Sequence, residues 1–194
     1  MTDTQVLVDG VVVRYVLKKN KGPVFCFLHG WGTSLETFDP LTGALGDISY
    51  VSLDFPGFGR SAMPPHSWGV PDYANFLLHF LKKIEVAPDI LVGHSFGGRV
   101  ALFLCRKGLL HPGKLILIDA AGIALPTSLK ASVFKIGAKV LRPFVSEGMR
   151  KKIYSMLGST DYKQAGTMRE TFLKVVRQDL RNEAEQIKIP TLLV

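Results

Sequence analysis

Apolar positions in the first 120 residues come in short blocks, and the spacing within them alternates between two periods. Gln5 to Val8 and Val11 to Leu17 flank Asp9-Gly10, which predicts two strands joined by a two-residue hairpin. Pro23 to Leu28, Tyr50 to Leu53, Ile90 to Val92 and Lys114 to Ile118 are short, nearly continuous apolar runs, the pattern of strands covered on both faces. Between them the period becomes that of a helix. Tyr73, Phe76, Leu77 and Phe80 fall at core spacing on a helix headed by Asp72 and running through about Lys83. Val100, Phe103 and Leu104 mark one face of another helix, which starts at Phe96. A further helix over roughly 35 to 45 is capped by Ser34 and made irregular by Pro40. Strand–helix alternation with short apolar strands predicts an α/β fold, a mostly parallel sheet with helices on both faces.

From Ala121-Gly122 the rhythm breaks. Residues 127 to 186 hold no clear strand and read as helices separated at Pro143, Gly158 and Gly166. Ile187 to Val194 then begins another buried strand. The expected organisation is a core over 1–122, a helical cap inserted over 123–186, and a returning core strand over 187–194. A cap placed over the carboxyl ends of the strands should turn apolar side chains toward the site, including some of Phe134, Ile136, Leu141, Phe144 and Leu157.

Composition narrows the function classes. At 47% hydrophobic and 21% charged residues the 194-residue chain is globular, not disordered. Of the net charge of +8, residues 122 to 188 supply most, with 13 Lys+Arg against 6 Asp+Glu. Those basic residues are spread at helical spacing among apolar ones, without a recognition motif or stacking aromatics, so a solvated helix face is expected and no nucleic-acid partner. Cys26 and Cys105 lie in apolar segments and read as buried free thiols, which fits a reducing, cytoplasmic setting. No uncharged apolar run reaches the roughly 18 residues a membrane span needs, so no stable membrane insertion is expected. Gly57-Phe58-Gly59-Arg60-Ser61-Ala62 fits a dinucleotide fingerprint, but Pro64-Pro65 forbids the helix that would hold a pyrophosphate. No Walker sequence or metal-ligand cluster stands elsewhere. Neither a cofactor nor a metal is expected.

The chemistry concentrates at Ile90 to Ala101. There Gly93-His94-Ser95-Phe96-Gly97 joins a predicted strand to a predicted helix, a junction that only a sharp, strained turn can make. Such a turn thrusts the Ser95 hydroxyl out at the sheet's edge beside the N–H groups of a helix N-terminus. The alternative is a plain glycine-rich loop before a helix. A serine that attacks a carbonyl needs donors for the oxyanion and a base. The Phe96 N–H is one donor, and an N–H of the His29-Gly30-Trp31-Gly32 turn, that of Trp31, is the other. His29, Asp54, Ser95 and Asp119 all sit at predicted strand ends, so one crevice could gather them. Asp119 is the candidate acid, though a turn or cap role explains it equally well. None of the five histidines, His29, His66, His79, His94 and His111, is placed as the base.

Three ordered motifs resemble the α/β-hydrolase superfamily: His29-Gly30-Trp31-Gly32, Asp54 to Ser61 in the pattern Asp-x-Pro-Gly-x-Gly-x-Ser, and the Gly93 to Gly98 elbow. Leu115 to Gly122 and Pro190 to Val194 are similarly placed, so the likeness runs along essentially the whole chain. The resemblance implies a serine hydrolase acting on an ester or a related acyl or carbon–carbon substrate, a small molecule with an apolar portion. Serine at position 95 argues against the dehalogenase and epoxide hydrolase branches, which carry aspartate there. In that family the acid and the histidine follow the last two strands, and would lie beyond Val194. The chain is therefore expected to be a fragment, inactive alone, with an open sheet edge at Thr191 to Val194. The alternative is a non-catalytic protein of the same fold that binds a small ligand. The sequence carries no indication of oligomeric state.

Overall fold

The computed structural model describes residues 3–120 and 166–194. The hairpin strands are β1 (Thr4–Val8) and β2 (Val11–Lys18), followed by β3 (Val24–Leu28), a 3-10 turn at Leu35–Phe38 and α1 (Asp39–Leu45). Then come β4 (Ser49–Leu53), α2 (Val70–Lys83), β5 (Ile90–His94), α3 (Phe96–Arg106) and β6 (Lys114–Ile118). The last described stretch holds a 3-10 turn at Gly166–Met168, α4 (Arg169–Arg177), α5 (Arg181–Glu185) and β7 (Thr191–Leu193). The strands form one seven-stranded sheet in the order β1-β2-β4-β3-β5-β6-β7. β1 and β2 pair antiparallel, as do β2 and β4, while every pair from β4 to β7 is parallel. Asp9 and Gly10 turn the hairpin with φ of 49° and 78°, the positive values a two-residue turn of this hand requires.

The continuous apolar runs follow from what lies on each side of the sheet. Cys26, Leu28, Val51, Leu53, Leu91 and Leu115 point to the face covered by α2 and α3. Phe27, Tyr50 and Val92 point the other way, where Leu35 and Phe38 close over them. Strands buried on both sides cannot alternate apolar with polar. The helical stripe is as expected in α2, where Tyr73, Phe76, Leu77 and Phe80 are buried; in α3 Val100 and Leu104 are buried but Phe103 is only half-buried.

Four local expectations change. Asp72 does not head α2: the helix begins at Val70, and Asp72, one turn in, accepts the Gly69 N–H at 2.7 Å. Pro71 fits the first turn, where its missing N–H is no loss. Ser34 caps nothing with its side chain, because Asp54 Oδ1 takes the Leu35 N–H at 2.7 Å instead. Cys105 is half-buried, whereas Cys26 is fully buried. β7 is not a buried strand: Leu192 and Leu193 are 56% and 74% exposed, because β7 is the outermost strand of the sheet. Among the described residues, Thr191–Leu193 form the edge of the sheet. The proposed lining residues Phe134, Ile136, Leu141, Phe144 and Leu157 lie outside the described residues, as does most of the 123–186 segment.

Candidate active site

Parallel pairing sets Leu28 of β3 against Gly93 of β5, so the turns that follow the two strands are neighbours. Between β5 and α3 stands Ser95, at φ 47° and ψ −106°. A side chain in that region is rare and strained, and it persists only where the surroundings over-determine it. Here they do. The Ser95 N–H donates to the Ile118 carbonyl of β6 at 3.0 Å, and the Gly97 N–H donates to the His29 carbonyl at 3.1 Å. The helix can descend this far only because the junction lacks side chains. A Cβ on Gly97 would sit 2.0 Å from the Leu28 carbonyl oxygen, and one on Gly93 would sit 2.6 Å from the Gly98 Cα.

The turn after β3 is held just as firmly. The Phe55 N–H donates to His29 Nε2 at 2.9 Å, so the imidazole proton resides on Nδ1, which donates to the Gly30 carbonyl at 2.7 Å. His29 is fully buried, and burial pushes its pKa from 6.5 down to about 4, keeping it neutral. Gly30 faces the elbow: a Cβ there would lie 2.7 Å from His94 Nδ1 and 3.6 Å from the Ser95 Cβ. Trp31 then packs edge-on against Phe58, Phe96 and Phe172, at centroid distances of 4.8, 5.7 and 5.2 Å.

The third motif turns out to be architecture. Asp54 is fully buried and its carboxylate accepts from Leu35 N–H, from Arg60 N–H at 2.8 Å and from Arg14 Nη1 at 3.2 Å. Ser61 accepts the Arg14 N–H at 2.9 Å and donates to the Asp54 carbonyl at 2.7 Å. Gly59, at φ 53°, has no room for a Cβ, which would fall 2.1 Å from Asp54 Oδ2. Burial alone would lower the pKa of Arg14, but its hydrogen bonds to Asp3, Glu36 and Asp54 outweigh that and raise it. Asp54 therefore does not reach the crevice with Ser95, contrary to expectation.

Each histidine has its own place. His29 is spent on two backbone groups. His79, on the exposed side of α2, meets Asp9 of the hairpin at 2.6 Å. His66 stands beside Trp68 and His111 is exposed. His94 turns toward Gly30, and its Nδ1 is buried without a hydrogen-bond partner among the described residues. Among the described residues, no hydrogen bond joins any histidine to Ser95 Oγ. Asp119 is exposed at the end of β6 with φ 44°, and no histidine bonds it among the described residues. It borders a groove of about 580 Å³ against Leu193 and Val194. A second cleft, about 310 Å³, opens between Trp31–Thr33, Gly57–Gly59 and Gly166–Met168. Among the described residues no group of three or more His, Cys, Asp or Glu could hold a metal ion, and no helix is long and apolar enough to cross a membrane.

Sequence reasoning missed Arg99. Its Nη1 donates to the carbonyls of Val175 and Gln178, both at 2.9 Å, tying the elbow helix to α4. The available sign was a cation in the first turn of α3, where the helix dipole disfavours positive charge.

The family model described as "Alpha/beta hydrolase family" matches residues 27–187. A human serine hydrolase-like protein is 38% identical over 103 residues, 50% of this chain and 49% of that protein. The dihydrolipoyllysine-residue acetyltransferase component of the acetoin cleaving system of Cupriavidus necator is 35% identical over 98 residues, 48% of this chain and 25% of that protein. The chain thus spans less than half the length of these curated relatives. Among solved structures, a membrane phospholipase A described as a bacterial virulence factor superposes with a TM-score of 0.71 at 25% identity, covering 99% of this chain and 68% of that one.

Proposed function

Because the chain belongs to the alpha/beta hydrolase family, we propose that it carries the nucleophile and oxyanion cradle of a serine hydrolase. Ser95 Oγ attacks the carbonyl carbon of an ester, or of a related acyl or carbon–carbon substrate. The carbonyl π electrons move onto oxygen, and the Trp31 and Phe96 N–H groups receive the oxyanion. The hydroxyl proton goes to a base and then to the leaving group, and water releases the acyl group from Ser95. The base is a group other than the five histidines of this sequence, and Asp119 stays the alternative acid. One observation carries the reading: a serine, not a glycine, occupies a φ of 47° at a junction locked by hydrogen bonds to β6 and to the turn after β3. Strain of this kind concentrates where a side chain must be presented.

The substrate is a small molecule with an apolar portion. In support, Trp31, Phe58, Met63 and Met168, with Thr33 and Thr167, border the 310 Å³ cleft beside the Trp31 turn, and apolar side chains with a few polar groups suit small organic ligands. The likeness to a membrane phospholipase A is in keeping with an ester. Protein expressed from the full gene should be labelled by a fluorophosphonate, and Ser95→Ala should remove both labelling and ester hydrolysis. Turnover that survives in Ser95→Ala would eliminate the mechanism. The absence of a histidine on Ser95 among the described residues favours a second reading, a non-catalytic binder of small apolar ligands. Tight ligand binding with no labelling would establish it.

A further inference from the structure

Arg99 lies one helical turn beyond Ser95, in the first turn of α3, and its guanidinium is half-buried. A helix N-terminus is a poor place for a cation, since the N–H dipoles there already carry positive charge. This cation looks the other way. It donates to the carbonyls of Val175 and Gln178 at the C-terminal end of α4, where orphan carbonyls and the negative end of the dipole await a donor. Two more ties hold α4, to the loop before α2: Trp68 N–H donates to Thr171 Oγ1 at 3.2 Å, and Lys174 Nζ donates to the Ser67 carbonyl at 2.6 Å. Between these anchors the helix presents Phe172, 8% exposed, edge-on to the Trp31 ring at 5.2 Å.

The Trp31 peptide is held through the Gly30 carbonyl, which accepts from His29 Nδ1 at 2.7 Å and from Thr33 Oγ1 at 2.9 Å, but its ring depends on its neighbours. The residue is half-buried, and glycines flank it on both sides, Gly32 with a φ of 72°. Its ring is wedged between Phe58 and Phe96 from the core and Phe172 from α4. We propose that Arg99 is a positioning residue for the oxyanion cradle: by clasping the end of α4 it seats Phe172 against the Trp31 ring, and so steadies from its side-chain end a residue whose peptide is held through the Gly30 carbonyl. This rests on the reading of Trp31 as an oxyanion donor. The elbow helix thereby supplies one donor directly, through Phe96, and steadies the other at a distance.

The test uses protein expressed from the full gene and labelled with 5-fluorotryptophan, with a Trp31→Phe variant to assign the Trp31 fluorine resonance by its loss. Arg99→Ala should slow fluorophosphonate labelling about 10- to 100-fold, the range expected when a catalytic group is misplaced by up to about 1 Å. It should also move the Trp31 resonance to where Phe172→Ala moves it. The double variant should label no more slowly than Phe172→Ala alone, because both act along one path. Arg99→Lys, which can reach one carbonyl, should restore part of the rate and covers the case in which Arg99→Ala folds poorly. An unmoved Trp31 resonance in either Arg99 variant, or additive losses in the double variant, would overturn the clasp. Equal labelling of wild type and Ser95→Ala would instead sink the serine reading, and the fluorine spectra would still decide whether Arg99 seats Trp31.

Discussion

Acid should unseat the turn after β3 before it affects the rest of the sheet. His29 is fully buried, and its Nε2 accepts the Phe55 N–H, a role an imidazolium cannot fill. Its pKa falls from 6.5 to about 4 on folding. A group depressed in this direction binds its proton more readily in the unfolded chain. Its stabilisation is complete above pH 6.5, declines as the pH falls, and is exhausted near pH 4. At about 1.4 kcal/mol per pK unit, the difference amounts to about 3 kcal/mol, a large share of the roughly 5–15 kcal/mol that holds a domain together. The assay is urea unfolding at intervals from pH 7 to pH 4, on wild type and on His29→Gln, whose amide oxygen can still accept the Phe55 N–H. Other groups titrate in this window, so the quantity that matters is the difference between the two curves. Wild type should lose about 3 kcal/mol more than the variant across the interval. Parallel curves would refute the account of His29 as a neutral, doubly bonded strut.

Asp54→Asn should cost about 1–3 kcal/mol in urea unfolding, since Arg14 keeps Asp3 and Glu36 but the buried acceptor shared by Arg14 and the Arg60 N–H is lost; a loss below about 0.5 kcal/mol would contradict the role given to this carboxylate. Glu36, whose pKa is held near 2 by the Ser34 hydroxyl and by Arg14 against a smaller opposing effect of burial, should add stability above its ordinary pKa of 4.5 and lose it as the pH falls toward 2. Glu36→Gln should flatten that step, whose height is modest because the side chain is 44% exposed. Gly97→Ala should destabilise by more than about 3 kcal/mol, because its Cβ would meet backbone at 2.0 Å. Gly43→Ala in α1, with nothing within 4 Å of its Cβ, should instead stabilise the fold by about 0.5–1 kcal/mol and so raise the urea midpoint.

The strands were legible because burial on both faces demands a short unbroken apolar run, and turn residues at each end keep that run too short for a helix. Asp9-Gly10 likewise allows little but a tight hairpin. The elbow was legible for a related reason, since three glycines around one serine mark a place where backbones must touch. Asp54 was harder. A carboxylate at a strand end looks the same in sequence whether it faces a crevice or accepts three buried donors, and only the partners, which come from residues 14, 35 and 60, decide. Ser34 and Asp72 went astray in the same way: each had a local capping role to play, and a neighbour or a proline changed which residue took it. β7 carries apolar residues that predict burial, yet its place at the end of the sheet order is a long-range fact. Arg99 depends on a helix some 76 positions away, which no local pattern reveals.

The pairing of β6 with β7 also sets a timetable for synthesis. Leu115 and Thr191 face each other across the last two strands, 76 positions apart in the chain. At about 5–20 residues per second, a ribosome needs about 4–15 s to travel that far. Through that interval β6 has been made but the strand that closes its outer side has not. Leu115, Ile116 and Leu117 then present unpaired N–H and carbonyl groups in a row, the surface on which another nascent chain can add a strand. Slowed translation between codons 118 and 191 should therefore lower the soluble yield, and co-expressed holdase chaperones should recover it.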